Sequence, residues 1–208
     1  MNKEELVNVN LEIDRMIKES KNHLNNIYIK GLNDDFKNIN LHIDDLFFSL
    51  NDLIESYQII ISKKNYGGLW KNSNSFLLNG IFEGFIRVLI IHENRREIFT
   101  KEKHNRSLEK LKPSFKTLLI NKNIDKIKIK LLIKLYEYFQ IHRNNFGHFS
   151  LGSSTYSWDK QLYFQFFAYV LREFNLENKL RSWKFIEEIA SRDIEMCSTL
   201  RGFNLYKK

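Results

Sequence analysis

The chain has 208 residues, 33 Lys and Arg against 25 Asp and Glu, a formal net charge of +8, and 43% hydrophobic and 28% charged residues. That length suits one domain with a substantial core, and the basic surplus favours a polyanionic partner without specifying sequence preference or chemistry. Cys197 is the only cysteine, which excludes an intrachain disulfide and a cysteine-rich metal site and fits a reducing cytoplasm. No run of about 18 apolar residues offers a membrane span, and the first residues carry no apolar signal core, so a cytoplasmic protein with no membrane anchor is expected. With Pro113 the sole proline and 8 glycines, long stretches are free of helix breakers, predicting an all-α bundle of about five to seven helices.

In chain order, Leu6, Val9, Ile13, Met16 and Ile17 recur at helical spacing and Leu24 and Ile27 continue it, giving one long helix or two. Gly31 and Asn33-Asp34-Asp35 mark a break, after which Leu41 to Ile60 predicts a helix ending near Ser62. Residues 1–70 thus form an N-terminal helical hairpin in front of a core over 75–200. A loop is expected from Lys63 to about Asn74, its Tyr66-Gly67-Gly68-Leu69-Trp70 run anchoring it to the core. From Ser75 to about Phe99 lies the most apolar helix, a candidate bundle centre, interrupted on one side by Glu83 and Arg87. The basic stretch Arg95 to Arg106 reads as a solvated face, with an RNA groove as the alternative, and a short helix from Leu108 to Leu119 is expected to be kinked or split at Pro113.

The next helix, Ile124 to about Asn145, begins with an Ile127-Lys128-Ile129-Lys130 alternation that looks like a strand, but the span is too long and its later spacing too helical. Lys126, Lys130 and Lys134 share a face with Glu137, Gln140 and Asn144 and are candidates for tracking RNA phosphates. Arg143 sits about 100° away on the side of Leu132, Tyr136 and Phe139, where a charge is costly unless paired or lining a polar pocket; the position suits a functional site, and a buried Arg143 to Glu83 ion pair with no catalysis is the alternative. After a Leu151-Gly152-Ser153-Ser154 loop, helices are predicted from about Trp158 to Glu173 and Leu176 to Leu200. The first carries Tyr163, Phe164, Phe166, Phe167 and Tyr169, a stripe for the core or a subunit interface.

Two segments share the spacing R-x-x-x-x-H: Arg87 to His92 and Arg143 to His148. An arginine offers a permanently charged planar fork to phosphate oxygens, and a histidine moves a proton near neutral pH. The first copy has four apolar residues between its ends, no helix break, and Glu83 as an i, i+4 partner for Arg87, which marks it as structural. The second has Asn144 directly after the arginine and Gly147 before the histidine, where a left-handed turn would swing His148 back toward Arg143. Arg143, Asn144 and His148 are therefore the candidate catalytic residues, with Glu83 in support. His142 reads as a satisfied core histidine. His142 and His148 lack metal-ligand spacing and His104 stands alone, so no metal is expected; nor is there a P-loop or dinucleotide fingerprint.

A long central helix, a second helix ending in Arg143-Asn144 with His148 beyond, a short loop and closing helices resemble the higher eukaryotes and prokaryotes nucleotide-binding (HEPN) superfamily over roughly Ser75 to Leu200. The resemblance implies an all-α homodimer in which two motif helices form one cleft. It further implies a metal-independent, cofactor-free endoribonuclease of a toxin or phage-defence system, with an antitoxin or other defence protein as partner. Ser150 stands where some toxin members carry a modifiable tyrosine, which puts that regulation in doubt. A module that binds RNA or nucleotide without cutting it, and a helical dimerisation protein, are the alternatives.

Overall fold

The computed structural model describes residues 36–62, 69–94, 107–147, 157–194 and 201–206. Six α-helices account for most of them: α1 (Phe36–Ser62), α2 (Leu69–Asn94), α3 (Leu108–Asn121), α4 (Lys126–Gly147), α5 (Ser157–Glu173) and α6 (Trp183–Ala190). The chain is all-α, as its composition predicts. The helices expected before Phe36 and the basic stretch Arg95 to Arg106 lie outside the described residues. Among the described residues no helix is long and apolar enough to cross a membrane.

Apolar spacing located the helices better than their ends. α2 begins at Leu69 rather than Ser75, because a short polar run such as Lys71 to Asn74 carries no period of its own and a helix can extend through it. α3 continues through Pro113 without splitting. The proline has no N–H to offer the Glu109 carbonyl, but both residues are exposed, so water can satisfy that oxygen. The greater departure is at the end of the chain. In place of one helix from Leu176 to Leu200, a 3-10 turn (Glu177–Lys179) leads to the eight-residue α6.

Buried polar side chains explain that shape. The Ser182 N–H donates to Asn51 Oδ1 at 3.2 Å, while the Asn51 amide donates to the Phe47 carbonyl on its own helix, tying the turn before α6 to α1. Gln165, wholly buried on α5, donates to the Arg192 carbonyl at 2.9 Å and accepts from the Leu205 N–H at 3.1 Å. Asn204 donates to the Ala190 carbonyl at 3.2 Å, meeting one of the carbonyls left open at the end of α6.

One apolar core joins all six helices. Phe47, Leu50, Ile54 and Tyr57 of α1 pack with Ile81, Phe82, Phe85 and Leu89 of α2, and every residue of α5 from Leu162 to Leu171 is buried. Of the two roles expected for the aromatic stripe of α5, it fills the first, core within the protomer. Phe139 of α4 stacks on Tyr163 of α5 with ring centres 3.9 Å apart, and Phe82 meets Phe139 edge-on at 5.2 Å. Such pairs contribute about 0.5–1.5 kcal/mol each beyond their burial. They also fix α2, α4 and α5 against one another one turn below Arg143.

Candidate functional site

α4 presents Arg143 because both its start and its register are held. α3 closes in a Schellman turn: Asn123 takes a φ of 55°, its N–H donates to the Ile120 carbonyl, and the Ile124 N–H reaches back to the Leu119 carbonyl at 3.3 Å. Asp125 then caps α4, its Oδ1 accepting from the Ile127 and Lys128 N–H groups at 2.8 and 3.3 Å. The Tyr136 hydroxyl donates to the Leu108 carbonyl at 2.6 Å, joining the middle of α4 to the start of α3.

α2 and α4 run antiparallel, with Phe82 against Tyr136 and Phe139, and Glu83 against Arg143. Glu83 is shared by two arginines. Its Oε1 accepts from Arg87 at 2.7 Å, and its Oε2 accepts from Arg143 at 3.1 Å. Burial pushes the Glu83 carboxyl up, but the hydrogen bond and charge of Arg87, then those of Arg143, outweigh it and leave the group below the usual carboxylate range. Two guanidiniums and one carboxylate leave the trio with one net positive charge. Arg143 does meet Glu83, the pairing named for the non-catalytic alternative, yet its side chain is 45% exposed, so the pair lies at the surface and is not the buried one of that reading.

A second polar group lies one turn away on α2. The Tyr163 hydroxyl donates to Asn79 Oδ1 at 2.7 Å and lies 3.4 Å from His142 Nδ1. His142 is half-buried and stacks on Tyr138, with ring centres 6.0 Å apart. The Tyr163 hydroxyl is a polar neighbour of the ring, in keeping with a histidine satisfied within the fold. Asn79 is only 5% exposed, and its Nδ2 has no hydrogen-bond partner among the described residues. Leaving a buried amide donor unmade costs about 1–3 kcal/mol, and this one adjoins the arginine cluster. Asn79 was not singled out from sequence, and Tyr163 was named only as part of the aromatic stripe of α5. The signal was available, because Asn79, Glu83 and Arg87 stand four apart as the polar residues of the stretch Phe76 to Ile91 and so form one polar stripe.

The two R-x-x-x-x-H segments differ in geometry. Arg87 faces α4 through Glu83, whereas His92 meets Phe47 of α1 edge-on at 5.8 Å and pairs with Glu93 at 2.9 Å, so the ends of the first copy serve two interfaces. Of the second copy, Arg143 is described, the side chain of Asn144 is not, and His148 lies outside the described residues. The helix runs to Gly147, so the segment from Arg143 to the glycine is helical.

Lys126, Lys130 and Lys134 are exposed, as a phosphate-tracking face requires, but they do not join Arg143. They line a groove between α3 and α4 of about 680 Å³, about 140° around α4 from Arg143. Among the described residues no group of three or more His, Cys, Asp and Glu could hold a metal ion. No family model, curated protein or solved structure matches the chain, so the reading of the site rests on its own geometry.

Proposed function

We propose that the protein is a metal-independent endoribonuclease whose site is built on Arg143 and His148. The carrying observation is the shared carboxylate of Glu83, which holds Arg143 at the surface end of α4 beside the second guanidinium of Arg87. Such a cluster suits a phosphodiester that gains negative charge during reaction. The HEPN resemblance supports the same reading and adds a homodimer with the two motif segments facing one another. Placement in a toxin or phage-defence system belongs to the same proposal.

In this mechanism a ribose 2′-OH attacks its adjacent phosphorus. A P–O2′ bond forms and the P–O5′ bond breaks, leaving a 2′,3′-cyclic phosphate and a 5′-OH. One His148 imidazole accepts the 2′ proton, and an imidazolium, in a dimer the partner's copy, supplies the proton that the departing 5′ oxygen takes up. Arg143 stabilises the charge on the non-bridging oxygens. Asn144 orients the phosphate, and Glu83 acts as a positioning residue through Arg143.

The deciding experiment is cleavage of RNA in excess chelator by wild type, Arg143→Ala and His148→Ala, with end-group analysis of the products. Cyclic phosphate termini that both substitutions abolish support the proposal. If wild type binds RNA without cutting it, and Arg143→Ala weakens that binding, a phosphate-binding module replaces the nuclease.

A further inference from the structure

The groove between α3 and α4 carries a different assignment from the one its lysines suggest in sequence. Its floor is aliphatic: Ile120 and Ile124 on one side, Ile129 and Ile133 on the other, each pair spaced i, i+4 along the chain. Lys116, Lys126, Lys130 and Lys134 rim it, all exposed, and none has a carboxylate partner among the described residues. Among the described residues Glu137 is the one acidic residue of the lining, and Lys112 pairs with it at 3.0 Å. A concave apolar strip is thus bordered by four uncompensated cations.

We infer that this groove docks an acidic amphipathic helix of a partner protein, leucine-like side chains against the isoleucines and carboxylates against the lysines. Lys126 to Glu137 spans about 16 Å of helix, the length of three turns. Ile129 and Ile133 form an i, i+4 ridge on α4, and a third helix can seat between it and the wall that Ile120 and Ile124 make at the close of α3, as in a helical bundle. Charge complementarity sets the sign of the partner. A single-stranded nucleic acid fits less well, because among the described residues the lining contains no aromatic ring to stack a base. A bilayer surface cannot follow a strip recessed between two helices, and a second copy of the same groove would set lysine against lysine.

The test titrates the full-length protein with a fluorescein-labelled synthetic peptide of about four helical turns, leucines at i, i+3, i+4 and i+7 and glutamates on both flanks. A scrambled peptide of equal composition is the control. Saturable binding is expected for the amphipathic peptide only, weakened about tenfold or more by the triple substitution of Lys126, Lys130 and Lys134 to Gln, and similarly by Ile120→Asp, one lost favourable contact of about 1.4 kcal/mol being tenfold. Ile120 is exposed, so the fold should tolerate its replacement, which unchanged circular dichroism and melting temperature would verify. No saturable binding, or binding that either variant leaves intact, overturns the inference. So does binding of oligouridine or phosphatidylglycerol vesicles that the lysine substitutions abolish and Ile120→Asp leaves unchanged, since the lysines then serve a polyanion and the floor serves nothing. Concentration-dependent self-association lost in both variants assigns the groove to a second copy and overturns it equally.

Discussion

At the scale of single residues, Glu83 joins stability to the proposed chemistry. Its carboxyl lies below the ordinary range in the fold and returns to about 4.3 when the chain unfolds. The ionised form therefore stabilises the protein above the unfolded value, and that contribution is lost as pH falls through the lower, folded one. Glu83→Gln should reduce stability near neutral pH and should differ less from wild type once the pH has fallen through the depressed value of the folded carboxyl, where the native group is also protonated. Thermal melts of both proteins from neutral pH to acid check this, and a gap that stays constant would remove Glu83's charge from the account. For cleavage, His148→Ala and Arg143→Ala should each lower the rate by about 10²- to 10⁴-fold. His92→Ala should leave specific activity near wild type, because His92 packs against Phe47 on the α1 side, away from the arginine cluster. Loss of cleavage in a well-folded His92→Ala protein alone would transfer the site to the other copy.

At the scale of elements, helix ends are set by local backbone chemistry that apolar spacing does not reveal. Asn123 and Asn175 both close their helices with a φ of 55°, where glycine is comfortable and a β-branched residue is not. Asn123→Gly should leave stability equal or slightly higher, whereas Asn123→Val should cost about 1–2 kcal/mol, the ordinary penalty for a left-handed residue. Urea unfolding of the two variants would measure it, and equal midpoints would mean that the turn relaxes. The same distinction separates what was legible in the sequence from what was not. α1, α2 and α5 have long apolar periods, and their positions could be read directly. The turn between α5 and α6 could not, because the Leu176, Leu180 and Trp183 spacing is also that of a helix, and only the partners of Asn51 and Gln165 in three dimensions reveal the reversal. For the candidate site, helical register placed Arg143 on the apolar side of α4, which called for a polar partner, and Glu83 was the charge available in the apolar central helix. The link from Tyr163 to Asn79 did not, because the two residues lie 84 apart and no local pattern joins them.

At the scale of the whole molecule, the core already consumes the aromatic face of α5, so a dimer must be built from other surface. Of the six exposed large apolar side chains among the described residues, two serve this purpose: Phe76, 72% exposed on α2, and Ile141, 61% exposed on α4. Because α2 and α4 run antiparallel with Glu83 beside Arg143, Phe76 lies toward the same end of the bundle as Ile141 and the arginine cluster. Burying both would remove an apolar surface from water and bring two copies of the Arg143 segment together around a two-fold axis, where one His148 could accept a proton and the other donate one. The expected outcome is a dimer by sedimentation at tens of micromolar, shifted toward monomer by Phe76→Asp and by Ile141→Asp with secondary structure retained. RNA cleavage should fall in step with the dimer fraction, because a site completed by the partner cannot act alone. A monomeric variant that cleaves at the wild-type rate would place the whole catalytic apparatus within one chain, and the two histidine roles would then need separate residues of that chain.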